Sequence, residues 1–144
     1  MTRDLSPRLL EIVDALPLKP GQRILEIGCG PGALARAIVG RIGHGHVLAI
    51  DRSETAIRQA IAGSKAEIAA GMLAYRCIAA EDFTLEAGEY PFDMAVAIRV
   101  GAFDGRHPEP GRLALARLAK ALVSGGPLFI DGGDPLTIVP LDAS

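Results

Sequence analysis

Leu25-Glu26-Ile27-Gly28-Cys29-Gly30-Pro31-Gly32 is the stretch on which the fold turns. Arg23 to Ile27 reads as a short strand. Leu34, Ala35, Ile38, Val39 and Ile42 give the following segment the apolar stripe of a helix, and Pro31 suits that helix's first turn. Glycines between them allow positive φ and let the backbone approach a ligand beyond the strand's carboxyl end. Alone, such a turn can be no more than a tight strand-to-helix connection.

The pattern repeats outward from this turn. Upstream, Leu5, Leu9, Ile12, Val13 and Leu16 share one helix face, which Pro17 and Lys19-Pro20-Gly21 bring to an end. Downstream, His46 to Ile50 is a second strand closed by Asp51. Ser53 is placed to cap a helix with the inner face Ala56, Ile57, Ala60 and Ile61. Ser64 and Glu67 have capping-box spacing, so a short helix restarts there. Leu73 to Ala79 reads as a third strand, Phe92 to Ile98 as a fourth and Leu128 to Ile130 as a fifth. A Gly/Pro-rich loop, 101–111, and a helix marked by Leu115, Leu118, Leu122 and Val123 separate the last two. Strands alternating with helices imply βαβ units, a parallel sheet and an α/β fold. Leu136 to Val139 can add one more strand.

Composition narrows the function classes. The 144 residues are 49% hydrophobic and 22% charged, which fits one globular domain spanning 1–144. A net charge of −2 and the absence of Trp argue against a nucleic-acid surface. No apolar run reaches the ~18–20 residues of a membrane span, and the first residues lack an apolar signal core, so the expected location is cytoplasmic. Cys29 and Cys77 read as small buried thiols, and no metal-ligand spacing surrounds either.

Acids follow the first three strands. Asp51 is placed to accept from ribose hydroxyls, or merely to cap a helix. Glu81 and Asp82 can reach an adenine amino group, or be a solvated loop pair. Together with Glu26 they form a more specific constellation than any one of them. His44 and His46 fall in a glycine turn away from that edge. His107, among Arg99, Asp104 and Arg106, lies in the loop after the fourth strand and is the one weak candidate for a catalytic base.

These pieces resemble the class I S-adenosylmethionine-dependent methyltransferases. The resemblance rests on residues 25–32, Ala49-Ile50-Asp51, Ala80-Glu81-Asp82-Phe83, Phe92-Asp93-Met94-Ala95-Val96-Ala97 and Leu122-Val123-Ser124-Gly125-Gly126-Pro127-Leu128. It covers about residues 5–131. It implies a Rossmann-like three-layer sandwich with a mainly parallel sheet in the order 3-2-1-4-5, and S-adenosyl-L-methionine as cofactor. Gly28, Cys29 and Gly30 would line the methionine portion, and Glu26 would lie near its amino group. Asp51 would hold the ribose. Arg52 would lie beside the adenine, where its aliphatic stem offers apolar surface. Asp82, with the Glu81 backbone, would take the adenine amino group, and Ala97 would lie beneath the sulfonium. The family's sheet normally ends in an antiparallel hairpin beyond the fifth strand. The short run after Asp131 leaves that hairpin reduced or missing. A reduced sheet leaves an edge open, so a homodimer completing it is one expectation.

The implied activity is methyl transfer to a small-molecule acceptor. The alternatives are a non-catalytic S-adenosylmethionine-binding or scaffold protein, and an NAD(P)-binding enzyme. Gly28-x-Gly30-x-x-Ala33 formally fits the dinucleotide pattern. Glu26 counts against it, since a carboxylate there repels a pyrophosphate and attracts a cation.

Overall fold

The computed structural model describes residues 5–100 and 108–141. Along the chain run α1 (Pro7–Ala15), β1 (Arg23–Ile27), α2 (Ala33–Ile42), β2 (His46–Asp51), α3 (Glu54–Ala62), α4 (Lys65–Ala69) and β3 (Leu73–Cys77). A single 3-10 turn, Ala80–Asp82, follows, then β4 (Met94–Ala97), α5 (Pro108–Ala121), β5 (Leu128–Asp131) and β6 (Leu136–Val139). The six strands form one sheet in the order β3-β2-β1-β4-β5-β6. All pairs are parallel except β5 with β6. The strand order expected from the resemblance is therefore present, and the terminal hairpin is present in reduced form, with β6 added directly to β5.

Alternating side chains divide the core between two faces of the sheet. Ile24, Val47, Ala49, Met94 and Val96 pack with Ile12 and Val13 of α1, Leu34 and Ile38 of α2 and Ile57 of α3. Leu25, Ile27, Leu48, Ile50 and Ala95 pack on the other face with Phe83, Phe92, and Ala114 and Leu118 of α5. Burial on both faces explains the nearly unbroken apolar runs of β2 and β4.

Several local readings need correction. Pro31 does not open α2: the helix begins at Ala33, with Gly32 in the left-handed region as its N-cap. Pro31 instead exposes its carbonyl to the Arg36 guanidinium, at 3.0 Å. Ser53 caps α3 as expected, accepting from Ala56 N at 3.1 Å. Within α3, Ile57 and Ala60 are buried but Ile61 is exposed, because the nine-residue helix turns it away from the sheet. Ser64 makes no capping bond: its hydroxyl is buried and bonded elsewhere. Cys29 is buried, whereas Cys77, the last residue of the shorter β3, is exposed. Phe92 precedes β4 and meets Leu122 in an isolated bridge. No helix among the described residues is long and apolar enough to cross a membrane.

Candidate cofactor site at the strand switch point

β1 lies between β2 and β4, so the chain reverses direction across the sheet at its carboxyl end. Crevices at such switch points are where open α/β sheets hold ligands. The β1–α2 turn fills this one. Gly28 N and Cys29 N both donate to the Ile50 carbonyl, at 2.8 and 3.0 Å, which ties the turn to the end of β2. Gly28 has φ +69°, and a Cβ built on it would sit 2.7 Å from Val100 Cγ2. Both the conformation and the space therefore demand glycine there. A Cβ on Gly30 would meet nothing within 4 Å among the described residues.

Asp51 fixes the rest of the turn. Its Oδ2 accepts from Gly30 N at 2.9 Å and its Oδ1 from Ser53 N at 2.9 Å. One carboxylate thus links the glycine turn to the start of α3. Each oxygen retains a lone pair for a further donor.

Glu26 is the charged anomaly. Register puts Val96, Glu26, Ala49 and Tyr75 in one row across β4, β1, β2 and β3. Glu26 is buried and its Oε1 has no hydrogen-bond partner among the described residues. Burial, and secondarily the charge of Asp51, push its pKa up to about 8, while Arg36 pulls the other way. Burial also raises the Cys29 thiol, with Glu26 and Asp51 adding to it, so this thiol is not a nucleophile at neutral pH. Burial thus holds the Glu26 carboxyl protonated in the ligand-free protein, and a cationic group beside it would favour the ionised form.

A polar network that the sequence did not announce lies below the turn. Arg36 Nη1 donates to Pro31 O and to Ser64 Oγ, both at 3.0 Å. Ser64 Oγ and Tyr75 OH are 2.8 Å apart, and Tyr75 OH closes against Gly32. These four elements meet only in three dimensions. The sole signals in sequence were an Arg on a helix face and a Tyr in an apolar strand.

The other expected residues fall on the same carboxyl edge. Glu81 and Asp82 form the 3-10 turn after β3, with Asp82 exposed and the Glu81 carbonyl accepting from Arg117 Nε at 3.2 Å. Arg52 is exposed, and its carbonyl accepts from Cys77 Sγ at 3.6 Å. Ala97 is buried at the end of β4, in register with Ile27 and Ile130. His44 and His46 lie at the opposite edge, where His46 Nδ1 is 3.1 Å from Gly71 O. His107, Asp104 and Arg106 lie outside the described residues.

A family described as a methyltransferase domain matches residues 24–126. The chain belongs to the class I methyltransferase family. Among its curated relatives, a nocamycin O-methyltransferase from Saccharothrix syringae is 33% identical over 92% of the chain and 44% of its own length. A protein-L-isoaspartate O-methyltransferase from Methylorubrum populi is 34% identical over 86% of the chain and 51% of its own length. A phosphoethanolamine N-methyltransferase 2 from Haemonchus contortus, solved with S-adenosylhomocysteine and with S-adenosyl-L-methionine, superposes with a TM-score of 0.68 at 26% identity. That match covers 85% of this chain and 27% of the other. The chain spans about half or less of the curated relatives it matches.

Proposed function

We propose that this methyltransferase binds S-adenosyl-L-methionine across the carboxyl ends of β1, β2 and β3 and transfers its methyl group to a small-molecule acceptor. The observation that carries the reading is Glu26: a buried carboxyl beneath a glycine turn, with an oxygen that has no partner among the described residues. A cationic amino group answers that oxygen, whereas a pyrophosphate does not. The cofactor complexes of the Haemonchus contortus enzyme support the same choice.

Each residue then has a role. Gly28, Cys29 and Gly30 present backbone to the methionine portion, with Glu26 at its ammonium. Asp51 keeps its hold on Gly30 N while accepting from ribose hydroxyls. Arg52 flanks the adenine, and Asp82 with the Glu81 backbone receives its amino group. Ala97 floors the reacting end. The cofactor supplies an activated methyl group on a sulfonium, so the protein's task is alignment and exclusion of water. Little acid–base machinery is needed, and His107 is the candidate base only for an acceptor that must lose a proton.

The relatives are named for nocamycin, protein L-isoaspartate and phosphoethanolamine, so their names share methyl transfer and not one acceptor. β6 is an edge strand whose Ile138 is exposed, and a homodimer through that edge remains part of the proposal. Calorimetric titration with S-adenosylhomocysteine tests the donor site, and release of methylated product from a metabolite pool tests activity. Binding without any transfer would favour a scaffold role over an enzyme.

A further inference from the structure

We infer that Asp131 is a positioning residue for the donor site: it holds Arg99 in a left-handed turn that seats Val100 against Gly28. The inference rests on the S-adenosylmethionine reading of that site.

Arg99 has φ +61° and is the one non-glycine residue with positive φ among the described residues. An L side chain disfavours this conformation by about tenfold or more in population. Arg lacks the short polar side chain with which Asn and Asp offset that penalty locally. Something distant must therefore hold the turn. Arg99 N donates to Asp131 Oδ1 at 3.0 Å, across 32 positions of sequence. A carboxylate acceptor makes this one of the stronger kinds of hydrogen bond.

Both ends of the clamp are fixed. Asp131 is the last residue of β5 and pairs with Leu136 of β6. Its Oδ2 lies 3.9 Å from Arg8 Nη2 of α1, a partly exposed and therefore weak ion pair. Arg99 follows β4, whose Ala97 pairs with Ile27 of β1 on one side and Ile130 on the other. The turn at Arg99 delivers Val100 onto the glycine turn, where its Cγ2 occupies the space that a Cβ on Gly28 would need. A relaxed φ at Arg99 would redirect the chain and lift Val100 from Gly28. The floor between β1 and β4 is thus set from β5, by a residue that need not touch the cofactor.

The test titrates S-adenosylhomocysteine by calorimetry into the wild-type chain and the variants Asp131→Ala, Asp131→Asn, Arg99→Gly and Asp131→Ala/Arg99→Gly, with the Tm of each. Asp131→Ala is expected to bind about tenfold more weakly, the scale of the left-handed penalty. Asp131→Asn keeps an acceptor oxygen and should stay within about twofold of wild type. The double variant should recover affinity, because glycine takes positive φ without a clamp. That rescue is one a merely structural role would not give. Folded Asp131→Ala with wild-type affinity overturns the inference, as does a double variant that stays weak. If Asp131→Ala fails to fold, Arg99→Val carries the test, since a β-branched residue resists the turn while Asp131 is intact. Its affinity should fall about tenfold with Arg99→Gly unchanged, and equal affinities overturn the inference. A wild-type chain that binds no S-adenosylhomocysteine overturns the cofactor reading and this inference with it; binding by wild type and equally by Asp131→Ala removes the inference alone.

Discussion

The carboxyl ends of β1 and β2 and the β5–β6 flank belong to one sheet but are built differently. At the first, a single carboxylate ties Gly30 to Ser53, two amides share the Ile50 carbonyl, and Glu26 is buried without a partner for Oε1 among the described residues. At the second, β6 is an edge of four residues with Ile138 exposed. Buried polar geometry is expensive to build and leaves little freedom, as a ligand site requires. An exposed edge is inexpensive and tolerant. The difference teaches where substitutions should be felt: sharply at the glycine turn, weakly at the flank, with Asp131 the exception that joins them.

The largest effect is expected at Gly28. Gly28→Val should abolish S-adenosylhomocysteine binding in calorimetry. It should also lower stability by about 2–4 kcal/mol in denaturant unfolding, since a side chain at positive φ would collide with Val100. Asp51→Ala comes next. It removes two charge-assisted bonds of the turn and the proposed ribose acceptor, so affinity should fall by about 30- to 100-fold. Unchanged affinity would remove the ribose assignment.

Glu26 gives a pH signature. Its folded pKa of about 8 exceeds the ordinary carboxyl value of 4.5, so between those values the folded state holds a proton that the unfolded state has released. The ligand-free protein therefore loses stability from this group as pH rises from about 5 to 8. Glu26→Gln cannot titrate and should lack that component, so its stability relative to wild type should climb over the same window. Parallel pH profiles of Tm for the two proteins would contradict the burial argument.

Smaller effects lie farther from the turn. Tyr75→Phe removes one hydroxyl from the network while Ser64 Oγ still accepts from Arg36, and should cost about 1 kcal/mol in denaturant unfolding. Ile138→Lys is expected to change monomer stability by less than about 0.5 kcal/mol and to leave S-adenosylhomocysteine affinity untouched. In sedimentation it should abolish any self-association through β6. Loss of cofactor affinity in that variant would break the contrast between the two regions.

How much of this was legible in the sequence follows from the range of the interactions. The five parallel strands, the Ser53 cap and the acids at the strand ends were readable because each is announced by local periodicity or by a turn residue. Glu26 stands out because it puts a carboxyl inside a strand two residues before the first glycine of the turn. Ser64 stands at the N-cap of α4, where its spacing to Glu67 puts a helix start, but its hydroxyl turns to Arg36 and Tyr75, which are distant in sequence. Pro31 lies two residues before α2 and not in its first turn, because Gly32 occupies a left-handed N-cap that no pattern of apolar residues reveals. The Arg99–Asp131 clamp left no local signature at all, since it depends on β4 and β5 being neighbours and on a single backbone angle.

The most direct test of the central claim is a calorimetric titration of the wild-type chain with S-adenosylhomocysteine, run beside NAD⁺ and NADP⁺. Saturable 1:1 binding of S-adenosylhomocysteine with no heat from either dinucleotide is the predicted result. Binding of a dinucleotide in its place, or of none of the three, would contradict the reading of Glu26 and the glycine turn as a methyl-donor site.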